Sequence, residues 1–336
     1  TQKAAYGLLS RVALYAEKWD VAAQAARDCA TAEGNLDLSK NGYAKIFELG
    51  INSPEVLFAV EFKSSVIDHA YDAYVRPSGD TKELGKQVYS GFVPTSELVD
   101  SYEMAGDGGN FSWEKHGKDP YANREPRFYA TILYNGADWM GRKIESFVGG
   151  KDGYKAYENA GAAGTTVTGY YLRKYLIDGD KTWVTSGSGQ DWIVLRYAEV
   201  LLNKAEALAM ENWNKNSAEA LQALNDVRAR VGLPARATAD KETFLEYVRH
   251  ERKVELAGEG FRYWDLRRWR LAEKVIDGQN VHGVKISKQS DGSFTYEQVD
   301  ADGGHKRIFY DRYYRFAIPL SERSNNSLCT NNDGWI

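Results

Sequence analysis

Two distant stretches of the chain repeat one pattern, in which apolar residues recur every three or four positions along a pair of consecutive helices. The stripe of the first stretch comprises Ala5, Leu8, Val12, Tyr15 and Trp19, followed by Ala22, Ala26 and Cys29. The stripe of the second comprises Leu195, Ala198, Leu202, Ala205 and Ala209, followed by Ala220, Leu224 and Val227. Small residues at the contact, with a bulky residue one turn away, are typical of helical hairpins of the tetratricopeptide type. The pattern therefore predicts a mainly α-helical chain with a tetratricopeptide-like frame.

The chain between the two stretches has a different character. From about residue 63 to 190 it is rich in Gly, Asp, Asn, Ser and aromatic residues and has little helical periodicity. An irregular segment of this length is uncommon unless it is functional or disordered, and its many aromatic residues argue against disorder. Short apolar runs at 55–62 and 127–134 indicate strands. The chain is predicted to comprise a helix pair at 1–54, a loop-rich insertion at 55–190, tetratricopeptide-like helices at 191–276, and turns with short strands at 277–336.

Composition and charge exclude several classes of protein. The chain is 43% apolar and 27% charged, as expected of an ordered globular protein. Because 43 Lys and Arg residues oppose 47 Asp and Glu residues, no global positive field attracts phosphate backbones. No nucleic-acid partner is therefore expected. No apolar run approaches the roughly 18 residues that a membrane-spanning helix needs.

Motifs of metal, cofactor and nucleophilic chemistry are missing from the sequence. The five histidines lack the i, i+4 pairing of a zinc helix, and there is no GxSxG elbow, phosphate loop or complete dinucleotide fingerprint. The two cysteines, Cys29 and Cys329, lack CxxC spacing, which leaves a single bridge between them open. Asp300–Gly303 and Asn331–Gly334 resemble the start of calcium loops but lack the downstream Glu. We therefore nominate no catalytic residue, no metal site and no cofactor. Paired carboxylates for glycoside hydrolysis stay open, because 47 acidic residues offer many pairs.

The densest cluster of charges lies at 251–270, and it has two interpretations. As a nucleic-acid surface, its arginines would contact phosphates while Tyr263, Trp264 and Trp269 stack on bases. As a structural element, Glu251 and Glu255 share one helix face and bind guanidinium groups. The acidic residues so close to the arginines favour the structural interpretation.

At this cluster the chain resembles the SusD/RagB family, the surface nutrient-binding lipoproteins of the Bacteroidetes outer membrane. The family signature is filled by Glu251, Arg252, Glu255, Leu256, Glu259, Gly260, Arg262, Asp265, Leu266, Arg268 and Trp269. Similar segments occur at 8–22, 125–130, 195–202 and 318–335. In the last of these, Ser327 and Asp333 stand where the family usually has proline, and Asn331 where it has glutamine. The resemblance covers essentially the whole chain.

The resemblance implies a function as well as a fold. A member of this family would be a cell-surface lipoprotein of the outer membrane that captures a glycan or oligosaccharide and delivers it to a SusC-like TonB-dependent transporter. It would not be an enzyme. Two alternatives remain open, a glycan-processing enzyme that uses paired carboxylates and a repeat scaffold that binds only proteins. The resemblance names neither the sugar nor its linkage, and some relatives take peptides.

Aromatic residues of the insertion are the candidate ligand contacts. The apolar C–H face of a pyranose covers a flat ring, while its hydroxyl groups need polar partners. The first set comprises Tyr71, Tyr74, Arg76, Tyr89 and Phe92, in the region where relatives present ligand aromatics. The second set comprises Trp113, Tyr134, Asn135, Asp138 and Trp139. If stacking is their role, replacing Trp139 or Tyr89 by alanine weakens glycan binding and leaves thermal stability nearly unchanged, whereas core packing gives the opposite result.

The chain begins at Thr1, inside a helical pattern. A first helix without a neighbour would leave its apolar stripe exposed. We therefore expect a separate N-terminal segment to complete the fold, and the resemblance implies that the lipid anchor belongs to that segment.

Overall fold

A computed structural model describes residues 1–159 and 165–335. Its helices are α1 (Gln2–Tyr15), α2 (Trp19–Thr31), α3 (Gly42–Leu49), α4 (Tyr71–Val75), α5 (Asp80–Leu84), α6 (Ser96–Val99), α7 (Trp113–His116), α8 (Pro126–Thr131), α9 (Trp183–Ser186), α10 (Tyr197–Arg230), α11 (Lys241–Glu255), α12 (Phe261–Arg268), α13 (Ala272–Ile276) and α14 (Leu320–Asn325). Its strands are β1 (Val56–Val60), β2 (Ile132–Leu133), β3 (Asp138–Trp139), β4 (Arg142–Lys143), β5 (Tyr171–Leu172), β6 (Trp192–Arg196), β7 (His282–Lys288) and β8 (Phe294–Asp300). The predicted mainly helical fold is confirmed. Within the described residues, no helix combines the length and apolar character that crossing a membrane requires.

The frame consists of two helical hairpins that pack on each other. The first is α1 with α2. The second lies within α10, whose backbone leaves the helical region at Asn212, with φ −164° and ψ 94°. Lys204 Nζ lies 2.8 Å from Glu219 Oε1, whereas these positions would be about 22 Å apart along a straight helix. The two halves of α10 therefore lie side by side. Buried alanines of α2 and α10 let the backbones approach closely.

The contact face of α1 differs from the predicted one. Gly7, Ser10 and Leu14 are buried, whereas Leu8 and Val12 of the predicted stripe are exposed. A Cβ atom on Gly7 would come within 2.9 Å of terminal methyl groups of Leu57 and Leu195, so a larger residue would require those side chains to move. The outer face of α1 thus carries apolar side chains, and the N-terminal segment expected to cover it stays a prediction.

A short sheet closes the insertion at its base. Strands β1 and β6 pair antiparallel, with Val56 opposite Arg196 and Val60 opposite Trp192. The chain between them is therefore looped out from the frame. Among the described residues, the remaining strands form three further two-stranded pairs, β2 with β5, β3 with β4, and β7 with β8.

Local structure in the insertion corrects one prediction. The strand at 55–62 is confirmed by β1, but most of the run at 127–134 is α8, and only Ile132 and Leu133 are extended. Pro126 occupies the first turn of α8, where its fixed φ suits a helix and its missing N–H costs nothing. Both cysteines are free thiols, so the bridge left open by the sequence is not formed.

Candidate functional site

The glutamates of the charged cluster at 251–270 form a buried ion network with arginines of α8, β6 and α10. Glu255 of α11 accepts hydrogen bonds from Arg196 at 2.6 Å, from Arg127 at 3.0 Å, and from Arg230. Glu251 accepts from Arg127 and from Arg228, the latter at 3.0 Å. The side chains of these six residues are at most 1% exposed.

The positive charges of this network hold the carboxyl group of Glu255 ionised. Burial alone would raise its pKa, but Arg230, Arg196 and Arg127 outweigh burial and keep that pKa well below its usual range. Further along the cluster, Arg268 pairs with Glu206 and Asp265. Since Glu251 and Glu255 bind arginines and Arg268 binds carboxylates, the structural interpretation is confirmed for these three residues of the cluster.

The network also anchors the insertion to the frame. Lys174, which follows β5, donates to Glu259 at 2.6 Å and to the carbonyl oxygens of Glu255 at 3.1 Å and Ala257 at 2.8 Å. Burial lowers the pKa of Lys174 to about 8, although Glu259 opposes that shift. The signature carboxylates Glu251, Glu255 and Glu259, whose side chains are at most 2% exposed, therefore position the insertion.

Two tyrosines of the first candidate set form an exposed stack. The rings of Tyr74 and Tyr89 lie 5.2 Å apart between centroids at 26°, and the residues are 47% and 45% exposed. Phe92, three positions after Tyr89, is 64% exposed. We call these three residues the tyrosine platform.

Arg76 and Trp139, which were candidate ligand contacts, lie in the core, and this corrects the prediction for both. Arg76 is fully buried and donates to Asp72 at 2.7 Å and to Asp80 at 3.3 Å. Trp139 is 1% exposed, and its indole N–H donates to Asp80 at 3.0 Å. Because carboxylates satisfy both groups inside the protein, neither side chain reaches a surface ligand. Tyr71 is half-buried, and its hydroxyl donates to the carbonyl oxygen of Lys174 at 2.8 Å.

The remaining residues of the second set are dispersed. Tyr134 is half-buried and stacks on Phe128, with centroids 5.2 Å apart. Asn135 is buried. Asp138 is exposed and pairs with Lys143 at 2.7 Å. Of these three, only Asp138 is freely accessible.

Trp113 borders an open hollow of about 670 Å³. The hollow is lined by Trp113, Glu114, Lys115, Gly117, Lys118, Tyr296 and Gln298. The rings of Trp113 and Tyr296 are half-buried, with centroids 6.3 Å apart. Tyr296 and Gln298 lie on β8 and were missed in the sequence, because nothing local indicates that this strand folds against α7. We call this site the Trp113–Tyr296 hollow.

Asp100 supports the Trp113 side of the hollow and makes this part of the protein sensitive to pH. Its carboxylate accepts the indole N–H of Trp113 at 2.9 Å. Burial raises the pKa of Asp100 to about 6, and the bond from Trp113 and the charge of Arg124 only partly oppose that shift. Glu97, which raises this pKa, and Lys253, which lowers it, are the other charged groups nearby.

We predict that Asp100→Asn removes a pH-dependent destabilisation of the folded chain. A carboxyl group whose pKa is higher in the folded than in the unfolded chain destabilises the fold when charged, so wild-type stability should rise as pH falls from 6 toward 4. The variant, which keeps an oxygen for the indole, should gain on the order of 1 to 3 kcal/mol at pH 7 and nothing near pH 4. Urea unfolding of both proteins from pH 4 to 7.5 measures this difference, and a constant difference would contradict the prediction.

Among the described residues, no three His, Cys, Asp or Glu side chains converge on a point that could hold a metal ion. The segment at 300–303, which resembles the start of a calcium loop, leads into a turn at 301–304. Asp302 accepts from the backbone N–H groups of Val281 at 3.0 Å and Gly304 at 3.2 Å, which occupies its carboxylate.

The helical frame with its looped-out insertion defines a helical-repeat protein. The chain belongs to the SusD family, whose family model matches residues 54–335. It is similar to a SusD-like protein of Formosa agariphila, with 32% identity over 133 residues, covering 37% of this chain and 25% of that protein.

Solved structures from Bacteroides fragilis share the fold over nearly all of this chain. A SusD-like protein has a TM-score of 0.77 and 26% identity, covering 100% of this chain and 65% of its own. A SusD-like carbohydrate binding protein has a TM-score of 0.79 and 26% identity, covering 97% of this chain and 64% of its own. The chain therefore spans less than two thirds of the length of each of these relatives.

Proposed function

We propose that this chain binds a glycan or oligosaccharide in the Trp113–Tyr296 hollow. The observation that carries the proposal is that two half-buried aromatic rings border one open hollow together with three charged side chains, those of Glu114, Lys115 and Lys118. None of these three forms an ion pair with another described residue. A sugar needs this combination, since its C–H face covers a ring and its hydroxyl groups bind polar side chains.

Family membership supports the proposal, and one similar structure is a carbohydrate binding protein. On the same basis, we propose that the complete protein lies at the cell surface as an outer-membrane lipoprotein and delivers its ligand to a SusC-like TonB-dependent transporter. Binding precedes transfer, and no bond of the ligand is broken.

The lining of the hollow argues against the alternative of a glycan-processing enzyme. Glycoside hydrolysis ordinarily uses two carboxyl groups on either side of the scissile bond. Glu114 is the single carboxylate among the described residues that line the hollow. Product analysis after prolonged incubation with the bound glycan tests this point, and released sugar would favour the enzyme.

Replacing Trp113 tests the binding site. A glycan array on the purified chain would first identify a ligand, whose affinity is then measured by isothermal titration calorimetry. We expect Trp113→Ala to weaken binding by about 1 to 3 kcal/mol, because the stacking ring is lost. Since this variant also loses the bond to Asp100, Gln298→Ala provides a second test that leaves the packing intact.

Two controls locate the ligand. Glu297→Ala changes a neighbouring exposed residue of β8 that does not line the hollow, so it should leave affinity unchanged. Tyr89→Ala and Phe92→Ala alter the tyrosine platform and should also have no effect. If the platform variants weaken binding while Trp113→Ala and Gln298→Ala do not, the glycan binds the platform and the assignment to the hollow is wrong.

A further inference from the structure

A second cavity, of about 680 Å³, opens between α3 and the segments around residues 124–130, 173–176 and 230–232. We call it the α3 cavity. It shares no lining residue with the Trp113–Tyr296 hollow. Its volume is within the range of small-molecule sites, about 300 to 1,000 Å³.

Cations predominate in the lining of the α3 cavity. They are Lys45, Arg124, Arg173, Lys174 and Arg230, and they oppose one acid, Glu48. Lys174 and Arg230 are already neutralised, by Glu259 in the first case and by Glu55 and Glu255 in the second. The excess positive charge therefore comes from the other three.

None of these three cations has a carboxylate partner within 3.5 Å among the described residues. The guanidinium of Arg124 is buried, lies over the rings of Phe111 and Phe128, and donates to the carbonyl oxygens of Pro120, Val99 and Tyr102. Arg173 has a loose pair with Asp178 at 3.7 Å. Lys45 is exposed and forms no ion pair with the part of the chain that the structure describes. An anion in the cavity would gain charge-assisted hydrogen bonds without breaking a strong pair.

Unpaired donors add to this charge. Helix α3 begins at the cavity without a side-chain cap, after Asn41 in the left-handed region at φ 62°. The backbone N–H groups of Tyr43 and Ala44 find no acceptor among the described residues. Independently, Tyr175 is only 2% exposed, yet its hydroxyl has no hydrogen-bond partner there. Buried polar groups are ordinarily satisfied, so this hydroxyl in the lining of the cavity has a free hydrogen-bonding position for a ligand.

Aromatic rings complete the lining. The aromatic residues of the lining are Tyr43, Phe47, Tyr129 and Tyr175. Tyr43, Phe47 and Tyr175 are only 2–3% exposed, whereas Tyr129 is half-buried. Among these rings, that of Tyr129 is accessible enough to offer an apolar face, whereas the cations and N–H groups offer donors to a carboxylate and to hydroxyl groups. We propose that the α3 cavity is a second carbohydrate site, which binds an acidic sugar such as a uronic acid through its carboxylate. The proposal does not depend on the Trp113–Tyr296 hollow.

Titrating the whole 336-residue chain with D-glucuronate, D-glucose and acetate, followed by ligand-observed NMR, tests the proposal. Glucuronate should bind at least about tenfold more tightly than either glucose or acetate, because only it combines the ring with the charge. Arg173→Gln and Lys45→Gln should each weaken glucuronate binding by about threefold to tenfold. Lys306→Gln, which removes an exposed cation outside the cavity, should have no effect.

Tyr175→Phe separates a ligand contact from a structural one. The hydroxyl has no partner in the described structure, so its removal should leave the melting temperature unchanged or raise it. Affinity for glucuronate should nevertheless fall. Equal binding of glucuronate and glucose, no binding of glucuronate, or loss of its binding in Trp113→Ala would overturn the proposal. The last result would place the acidic sugar in the hollow. The experiment therefore distinguishes failure of the α3-cavity proposal from failure of the proposal for the Trp113–Tyr296 hollow.

Discussion

Glu255→Gln is expected to destabilise the folded chain by about 3 to 5 kcal/mol. The carboxylate of Glu255 binds Arg127, Arg196 and Arg230, all of which are buried with it. The amide keeps the volume of the side chain but removes its negative charge and places N–H donors opposite guanidinium groups. The cations then remain buried without compensation, which costs far more than the pair itself contributes. Urea unfolding should show a lower midpoint with an unchanged m-value.

Glu246→Gln is the matched control on the same helix. Its side chain is 69% exposed and pairs with Arg249 at 2.6 Å. Exposed pairs contribute little, so this variant should lose less than about 1 kcal/mol. Equal losses in Glu255→Gln and Glu246→Gln would show that burial adds nothing to the network, contrary to the structure.

The buried network gives the family signature a physical meaning. Arg127 of the insertion contacts Glu125, Glu251 and Glu255 at once, and Lys174 adds a second attachment at Glu259. The signature therefore fixes how the insertion sits on the frame. Signature residues identify the scaffold, whereas the proposed glycan site in the Trp113–Tyr296 hollow is built from the insertion and β8.

The sequence predicted those features that depend on neighbours along the chain. The helical hairpins follow from a spacing of three and four residues, and Glu251 and Glu255 share a face for the same reason. The error at 127–134 has a local cause, since Pro126 starts a helix and the apolar run that follows does not specify strand or helix. The face of α1 was misassigned because Gly7 and Ser10, which pack closely, have no apolar side chain to indicate it.

The candidate site was predicted less completely than the fold, since tertiary contacts decide which aromatic rings reach solvent. Tyr296 joins Trp113 only because the β7–β8 hairpin folds back on α7. The aromatic-rich composition of the insertion could not show whether Trp139 packs in the core or contacts a ligand. One local signal was overlooked, because Asp72 and Asp80 flank Arg76 at spacings of four and so indicate an internal ion pair.

Trp139→Ala is expected to cost about 3 to 5 kcal/mol of stability and to leave the glycan affinity of the folded fraction unchanged. The side chain packs in a cluster with Val75, Leu133 and Ile144, and its ring also lies beside the guanidinium of Arg76, 5.2 Å from the centroid. Truncation leaves a cavity there and takes the indole donor from Asp80, so both packing and a buried hydrogen bond are lost. Thermal and urea unfolding measure the loss, and calorimetry below the transition measures affinity.

Tyr89→Ala is the control, because its ring stacks on Tyr74 at the surface and is nearly half exposed. It should lose less than about 1 kcal/mol, since solvent replaces most of the contacts that its ring makes. The stability loss of Trp139→Phe should lie between those of Trp139→Ala and Tyr89→Ala, because phenylalanine keeps much of the side-chain volume but loses the hydrogen bond to Asp80. A Trp139→Ala protein that unfolds like wild type but binds glycan more weakly would contradict this prediction. It would show that Trp139 contacts the ligand and that the β3–β4 hairpin opens in solution.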